Sequence, residues 1–198
     1  MPHAADTQPP GRPRLPEIDA RILDATLLLL GREGFARMSL DEVAAAANVS
    51  KPTIYRRYAG KVELASAALA ALAVSRDQTA PPMTGDLRLD LIAQLGHFRR
   101  GVSRPHGVAL VGTVLAEEHE TPELIAMYRE HVVAPRRRMI REVLQRALDR
   151  GILHAGADLD MAVNLLVGAF YAQHLAGDPF TPDWEASTVD AVLRGLLI

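Results

Sequence analysis

The sequence predicts an all-α protein of about nine helices, and three observations support this. Apolar residues recur at helical spacing through most of the 198 residues, and no run alternates in the manner of a strand. Glycine, proline and capping residues divide this pattern into segments of helical length. The first segments are short and closely spaced, which predicts an N-terminal three-helix helix-turn-helix domain followed by a larger C-terminal helical domain.

The first helix is expected from about Glu17 to Arg32, with Gly34 ending it. Phe35 and Met38 should pack beneath the helices that follow. The inward stripe of this helix is apolar at spacings of three and four residues: Ile18, Ile22, Ala25 and Leu29.

A helix-turn-helix is predicted between residues 39 and 58. Ser39 and Glu42 have the spacing of a capping box at the start of the first helix. Asn48 stands where the chain must reverse, and asparagine tolerates the left-handed conformation that such a turn needs. Ser50 can cap the second helix and Pro52 suits its first turn, since the missing N–H costs nothing there. Ile54 should point into the core, and a fourth helix is expected over about 61–75.

Further helices follow a linker at 77–85 that is rich in proline, threonine and glycine. They are expected over 86–100, 106–118, 121–150, 158–175 and 182–197. Pro135 lies inside the long 121–150 segment and should kink or split it. We therefore predict three parts: a basic arm at 1–16, a helix-turn-helix domain with connecting helix at 17–76, and a C-terminal domain at 77–198.

The composition limits the functions that this chain can have. It carries 22 Lys and Arg against 24 Asp and Glu, a net charge of −2, so any nucleic-acid binding must come from a local patch. Arg12 and Arg14 in the arm could reach a neighbouring groove, or the arm could be a simple flexible tail. The absence of cysteine excludes disulfides and thiolate metal sites. The start of the chain lacks the apolar core of a signal peptide, and no apolar run is long enough to span a bilayer, so we expect a cytoplasmic protein.

The outer face of the second helix of the helix-turn-helix has the chemistry needed to contact DNA. Lysine and arginine can donate to guanine, threonine can reach a base edge, and tyrosine suits a phosphate. The alternative is that Tyr55 is a half-buried packing residue and that Lys51, Arg56 and Arg57 form an ordinary solvated face. The candidate DNA-binding residues are Ser39, Lys51, Pro52, Thr53, Tyr55, Arg56, Arg57 and Lys61.

Two charged runs in the sequence resemble other kinds of site. The acidic run 117–120 resembles a metal cluster but lacks the paired histidines of a zinc helix, so we expect a solvated helix end. The arginine-rich run 136–141 has acidic neighbours and is expected to be an exposed charged face. No nucleophile elbow, phosphate-binding loop or dinucleotide fingerprint is found, so we expect no enzyme, no cofactor and no metal site.

Residues 22–72 resemble the TetR/AcrR family of transcriptional regulators. The motifs that carry the resemblance are Ile22-Leu23-Asp24-Ala25 with Gly34-Phe35, Ser39-x-x-x-Val43-Ala44, Val49-Ser50-x-x-Thr53-Ile54-Tyr55-x-x-Tyr58, and Gly60-Lys61-x-x-Leu64. In that family, the positions of Lys51, Thr53, Tyr55, Arg56 and Lys61 commonly contact DNA. Asn48 departs from the glycine that is usual at the turn, and Tyr58 from the usual phenylalanine or histidine.

The resemblance also implies functions for the C-terminal domain. Its last two helices would pair with their symmetry mates in a homodimer, and their marked apolarity agrees with a partner surface, although ordinary core packing is the alternative. Candidate interface residues are Met161, Leu165, Trp184, Val189, Val192, Leu193 and Leu196. The middle helices would enclose a small molecule, with an apolar or aromatic effector suggested by the candidate lining residues Leu95, Phe98, Val111, Leu115, Met127, His131 and Phe170.

His131 shares a helix face with Met127 and could instead be a hydrogen-bonded core residue. The sequence therefore predicts a ligand-responsive regulator, namely a repressor that is released from a palindromic double-stranded DNA operator when the effector tilts the fourth helix. The rival is a helical small-molecule-binding or enzymatic protein whose N-terminal motif is only structural.

Overall fold

The computed structural model describes residues 15–74, 81–104 and 107–197. Within these ranges, the chain is helical and one isolated antiparallel bridge joins Leu153 to Leu197. The helices are α1 Leu15–Arg37, α2 Leu40–Ala46, α3 Lys51–Tyr55, α4 Lys61–Val74, α5 Leu87–Val102, α6 Gly107–Ala116, α7 Pro122–Tyr128, α8 Ala134–Asp149, α9 Leu159–Ala176 and α10 Trp184–Leu193. A π-helical turn, Arg129–Val133, joins α7 to α8. Counted with residues 122–149 as one long helix, these ranges hold nine helices, and the predicted all-α fold is confirmed.

The local signals of the helix-turn-helix have the predicted geometry. The Ser39 hydroxyl accepts a hydrogen bond from the Glu42 N–H, and the Glu42 carboxylate accepts one from the Ser39 N–H, so both halves of the capping box form. Asn48 adopts a left-handed conformation with φ of 52°. Ile54 is fully buried beneath α3. Ser50 occupies the N-cap position, but its hydroxyl bonds the Thr53 hydroxyl at 2.8 Å rather than a backbone N–H.

The first helix extends further than the sequence indicated, because helical backbone resumes after a break. Gly34 lies at φ 83° and ψ 166°, outside the helical region, and one short turn continues to Arg37. Phe35 and Met38, which follow the break, are buried in the core as predicted. The break therefore redirects the chain from α1 toward the helix-turn-helix while keeping its apolar side chains inside.

The predicted interruption near Pro135 takes the form of the π-helical turn. Because proline has no N–H, it cannot donate a hydrogen bond to the preceding turn. A π-helical turn, which holds one more residue than an α-helical turn, lets the helix continue past that missing bond. Pro135 itself stands in the first turn of α8, where its missing N–H costs nothing. The turn places His131 and Val132 against different neighbours: His131 bonds the Ser66 hydroxyl of α4, whereas Val132 is buried beside α6 and α7.

Two apolar cores hold the structure together. The first is built on α1–α4 but also takes in Leu110 and Val114 of α6 and Leu124 and Ile125 of α7. The second is formed by α5, α8, α9 and α10, with Phe170 fully buried at its centre. Helices α6 and α7, which follow the predicted domain boundary in sequence, thus pack with the N-terminal helices.

The last helix is shorter than predicted and more deeply buried. It spans Trp184–Leu193, and tight turns replace its final residues. Trp184, Val189 and Leu193 have at most 7% of their surface exposed and belong to the second core. No helix within the described ranges is long and apolar enough to cross a membrane.

Candidate nucleic-acid interface and inner cavity

The short helix α3 presents its polar side chains to solvent. Lys51, Pro52 and Arg56 are exposed, Tyr55 has 57% of its surface exposed, and Thr53 is partly exposed. Lys51 pairs with Asp41 of α2 at 2.5 Å, and this hydrogen bond, together with the charge of Asp41, raises the pKa of Lys51. A DNA phosphate would compete with Asp41 for the same ammonium group. The arrangement gives α3 an exposed tyrosine, an exposed arginine and an exchangeable lysine at one surface.

Two other predicted DNA-binding cations have partners inside the protein. The Arg57 guanidinium donates to Asp19 of α1 at 2.6 Å and to the Thr53 carbonyl at 3.2 Å. The Lys61 ammonium donates to the Phe35 carbonyl at 2.6 Å and lies 4.6 Å from the centre of the Phe35 ring. These contacts tie α3 and α4 to α1. Contact of either side chain with a phosphate requires sharing or exchanging these partners.

Ser39 is engaged in the cap of α2. Its hydroxyl donates to the Glu42 carboxylate at 2.7 Å, and the hydrogen bonds from Ser39 lower the pKa of Glu42. The capping box therefore fixes the start of α2 and, through the turn at Asn48, the orientation of α3.

An inner cavity of about 480 Å³ opens between the two cores. A cavity of this size is typical of a small-molecule site. Three predicted lining residues, Phe98, Val111 and Leu115, form part of its wall. Leu115 and Leu175 are largely exposed and mark its opening. The remaining apolar wall comes from α6, α7, the π-helical turn and α9, including Val108, Val114, Ile125, Val132 and Val167.

The other four predicted lining residues lie away from this wall. Leu95 is buried in the second core, and Phe170 is enclosed by aromatic rings, with the Phe98 and Phe180 ring centres 5.6 and 5.2 Å away. Met127 packs on the first core. His131 shares a hydrogen bond of 3.0 Å with the Ser66 hydroxyl of α4, which is the core alternative that the sequence left open.

The cavity also has polar wall residues that the sequence did not indicate. Tyr128, Tyr171 and Arg136 line it. Burial raises the pKa of Tyr128 to about 12 and also raises that of Tyr171, so both phenols stay protonated. Burial lowers the pKa of Arg136. The expectation that 136–141 is an exposed face is correct for Arg138 and Arg141, whereas Arg136 and Arg137 are partly buried against the cavity.

Two contacts connect the cavity region to the helix-turn-helix. The first is the His131–Ser66 hydrogen bond between the π-helical turn and α4. In the second, the Glu117 carboxylate, just after α6, accepts a hydrogen bond of 3.1 Å from the Phe35 N–H. Gly34 leaves the space for that carboxylate, since a Cβ there would lie 2.0 Å from Glu117 Oε1.

The predicted interface residues separate into two groups. Met161 and Leu165 of α9 are 52% and 53% exposed and can reach a second copy. Trp184, Val189 and Leu193 are buried in the second core, and Val192 and Leu196 pack against it. The apolarity of α10 thus reflects core packing within one chain, the alternative considered from sequence.

The fold and this geometry define a class: an all-α protein with an N-terminal helix-turn-helix and a helical domain that encloses a cavity. Residues 22–68 match the family described as bacterial regulatory proteins, tetR family, and residues 81–192 match the tetracyclin repressor-like C-terminal domain. The chain belongs to the TetR family of transcriptional regulators. It is a DNA-binding regulator of a non-enzymatic class, so the enzymatic alternative is excluded.

Similar proteins cover nearly the whole chain. The DNA-binding transcriptional repressor TetR of Mycobacteroides abscessus is 36% identical over 90% of this chain and 93% of its own length. An HTH-type transcriptional regulator of Mycobacterium tuberculosis is 34% identical over 88% of this chain and 85% of its own. The TetR family transcription regulator SCO0332 is 30% identical in sequence, and its solved structure superimposes on this one with a TM-score of 0.65 over 92% of this chain and all of its own. The flavonoid-responsive regulator FrrA, 22% identical with a TM-score of 0.71 over 91% of this chain and 95% of that one, shares the fold.

Proposed function

We propose that this protein is a homodimeric repressor in the cytoplasm, released from a palindromic operator when a small molecule occupies the inner cavity. The observation that carries this proposal is that the cavity wall and the contacts to the helix-turn-helix are made by the same segments. Val132 and Val133 line the cavity, and His131, the residue before them, bonds Ser66 of α4. A molecule that displaces the wall would therefore pull or push on α4.

The second connection runs through α6. Val111, Val114 and Leu115 line the cavity, and Glu117 accepts the Phe35 hydrogen bond one turn further along the chain. Because Lys61 donates to the carbonyl of the same Phe35, a shift of α6 reaches the start of α4 as well. The proposed units at 17–76 and 77–198 are thus coupled by two polar contacts, one that reaches the start of α4 at Lys61 and one at Ser66 in its first half.

The exposed face of α9 supports the homodimer. Met161, Leu165 and Leu175 are all more than half exposed and recur along one side of the helix, with the small residues Gly168 and Ala172 between them. Apolar and small residues allow two helices to pack closely, and an exposed apolar stripe marks an interaction surface. A two-fold axis at this face would present two α3 helices to half-sites one or more helical turns apart.

On the DNA, we assign base-edge contacts to Lys51 and Thr53 and phosphate contacts to Tyr55 and Arg56. This assignment rests on their exposure and chemistry at the start and outer face of α3. Ser39, Pro52, Arg57 and Lys61 remain candidates, with Arg57 and Lys61 also holding α3 and α4 in place.

The first experiment is selection of duplexes from a randomised pool, with salt varied and with a Lys51→Ala/Tyr55→Phe/Arg56→Ala variant in parallel. Enrichment of a palindrome by the natural protein, with steep salt dependence and loss of binding in the variant, is the expected result. Failure to enrich any site at low salt would refute the proposed operator binding.

Coupling is tested on the recovered operator with a compound library. A compound that releases the natural protein should have much less effect on His131→Phe, which loses the bond to Ser66. His119→Phe is the matched control because His119 is exposed and distant from α4 in the chain. Equal release of both variants would place the coupling elsewhere.

A further inference from the structure

One charged group in the cavity wall has no hydrogen-bond or ion-pair partner among the residues that the structure describes. Three arginines line the cavity, and two of them are engaged: Arg129 pairs with Glu118 at 3.0 Å, and Arg137 donates to the Asn164 side chain at 2.7 Å. Arg136 makes no hydrogen bond or ion pair with any described residue, and no ring within the described ranges stacks on it. Its guanidinium is therefore a partly buried cation facing the cavity without compensation.

The surroundings of Arg136 do not neutralise it. Among the described residues that line the cavity, none is an aspartate or glutamate. Tyr128 and Tyr171 stay protonated for the reason given above, so they offer dipoles and hydrogen bonds but no negative charge. His97 lies close enough to feel the charge: burial lowers its pKa, and Arg100, Arg136 and Arg104 lower it further. The charge of Arg136 thus acts on a neighbouring histidine and is not balanced by an acidic residue in the described cavity wall.

A partly buried charge without a counter-ion is costly, and a ligand of opposite charge would offset that cost. The guanidinium fork matches a carboxylate with two parallel hydrogen bonds. The protonated Tyr128 and Tyr171 hydroxyls can donate to the same acid group. The rest of the wall, with Val111, Val114 and Val167, is apolar and suits a hydrocarbon or aromatic body.

We propose that the inner cavity binds an amphipathic organic acid, with its carboxylate on Arg136 and its apolar body against the valines of α6 and α9. This proposal rests on the proposed function in that it takes the cavity to be the effector site. It specifies the ligand further than the apolar or aromatic molecule expected from sequence, because an acid group is now required.

The test compares acids with their uncharged amides in direct binding to the full-length protein by isothermal titration calorimetry. The probes are biphenyl-4-carboxylate with biphenyl-4-carboxamide, and decanoate with decanamide. The variants are Arg136→Met, which keeps an unbranched apolar side chain but removes the guanidinium and its charge, and Arg138→Met as matched control. Arg138 is an exposed arginine on the same helix and does not line the cavity.

The natural protein and Arg138→Met should bind an acid about tenfold or more tightly than its amide, as expected for a charge-assisted bidentate contact. Arg136→Met should lose that preference while binding the amide as before. Arg136→Met should also melt at a higher temperature than the natural protein without ligand, because an uncompensated cation has been removed. Equal binding of acid and amide, binding of no acid below 1 mM, or a preference that survives in Arg136→Met would overturn the proposal.

Operator release, measured separately, distinguishes the two levels of the argument. Acids that bind through Arg136 yet leave operator affinity unchanged would support the ligand class and contradict the effector role of the cavity. A compound that releases the operator through the cavity without an acid group, alongside no preference for acids, would support the regulator and overturn the ligand class.

Discussion

Replacing Gly34 by alanine should destabilise the protein through two separable effects. The backbone at Gly34 has φ 83° and ψ 166°, a region that side chains with a Cβ rarely adopt. A Cβ at this position would also lie 2.0 Å from Glu117 Oε1 and 3.2 Å from the carboxyl carbon. The Glu117 side chain must therefore move, and its hydrogen bond from the Phe35 N–H is lost or lengthened.

The expected cost follows from these two contributions. A residue held in such a backbone region costs about 1–3 kcal/mol. Loss of a hydrogen bond to a carboxylate adds about 1 kcal/mol here, a low value because Glu117 is partly exposed and water can replace the donor. Gly34→Ala should therefore lower the free energy of unfolding by about 2–4 kcal/mol.

The assay is urea unfolding followed by circular dichroism, with all variants at one protein concentration because dimerisation would otherwise change the apparent stability. Glu117→Ala supplies a double-mutant cycle. In the Glu117→Ala background, the carboxylate is absent and Gly34→Ala should retain only the backbone cost, a reduction of about 1 kcal/mol.

Two results would refute this reasoning. A cost below about 0.5 kcal/mol, the size of an ordinary surface substitution, would mean that the backbone at Gly34 relaxes freely. An identical cost in both backgrounds would mean that the carboxylate of Glu117 does not occupy the space that the glycine leaves.

Three further outcomes are expected. In operator titrations, Arg56→Ala should lower the slope of log affinity against log salt by about one and leave the free energy of unfolding unchanged. Arg57→Ala should instead lower the free energy of unfolding, because the ion pair with Asp19 is lost. The reverse pattern would contradict the assignment of Arg56 to a phosphate. Asp90→Asn should lower the free energy of unfolding by about 2 kcal/mol in urea titrations, because its carboxylate accepts three hydrogen bonds from Thr84 and Gly85 and an amide offers only one acceptor oxygen; an unchanged midpoint would argue against that network. Burial, followed by nearby arginines, lowers the pKa of His97 in the folded chain, so below about pH 6.5 the unfolded chain binds this proton more readily and the free energy of unfolding should fall. His97→Gln should fall less steeply with decreasing pH, and parallel plots of the free energy of unfolding against pH for the two proteins would refute this prediction.

The features that sequence predicted well are those with local causes. The capping box at Ser39 and Glu42, the left-handed Asn48 and the disruption near Pro135 each depend on residues within a few positions of one another. The helix expected over 158–175 is found as α9, Leu159–Ala176, with Asp158 as its N-cap and Gly177 in a left-handed conformation at its end. The family resemblance, drawn from the N-terminal motifs, is confirmed by family matches over residues 22–68 and 81–192.

The cavity could not be predicted to the same extent, because an apolar face looks alike in sequence whether it meets a core or an empty space. Phe98 lines the cavity while Leu95, one turn earlier on α5, is buried in the core. Arg136 was grouped with Arg138 and Arg141 because the run has acidic neighbours, yet two positions along a helix change the facing direction by more than half a turn. The packing of α8 against α5, α9 and the π-helical turn decides which arginine faces inward.

The way α6 and α7 pack has a consequence for engineering. A simple modular exchange would join the DNA-binding helices of this protein to the ligand-binding domain of another regulator near residue 80. Here such a cut would leave Leu110, Val114 and Leu124 from a foreign sensor facing the α1–α4 core. A chimera made at that point would have a mismatched surface at the contacts that, in the proposed mechanism, couple the cavity to the DNA-binding helices. Transferring the core-facing residues of α6 and α7 together with helices α1–α4 would give the chimera a continuous core.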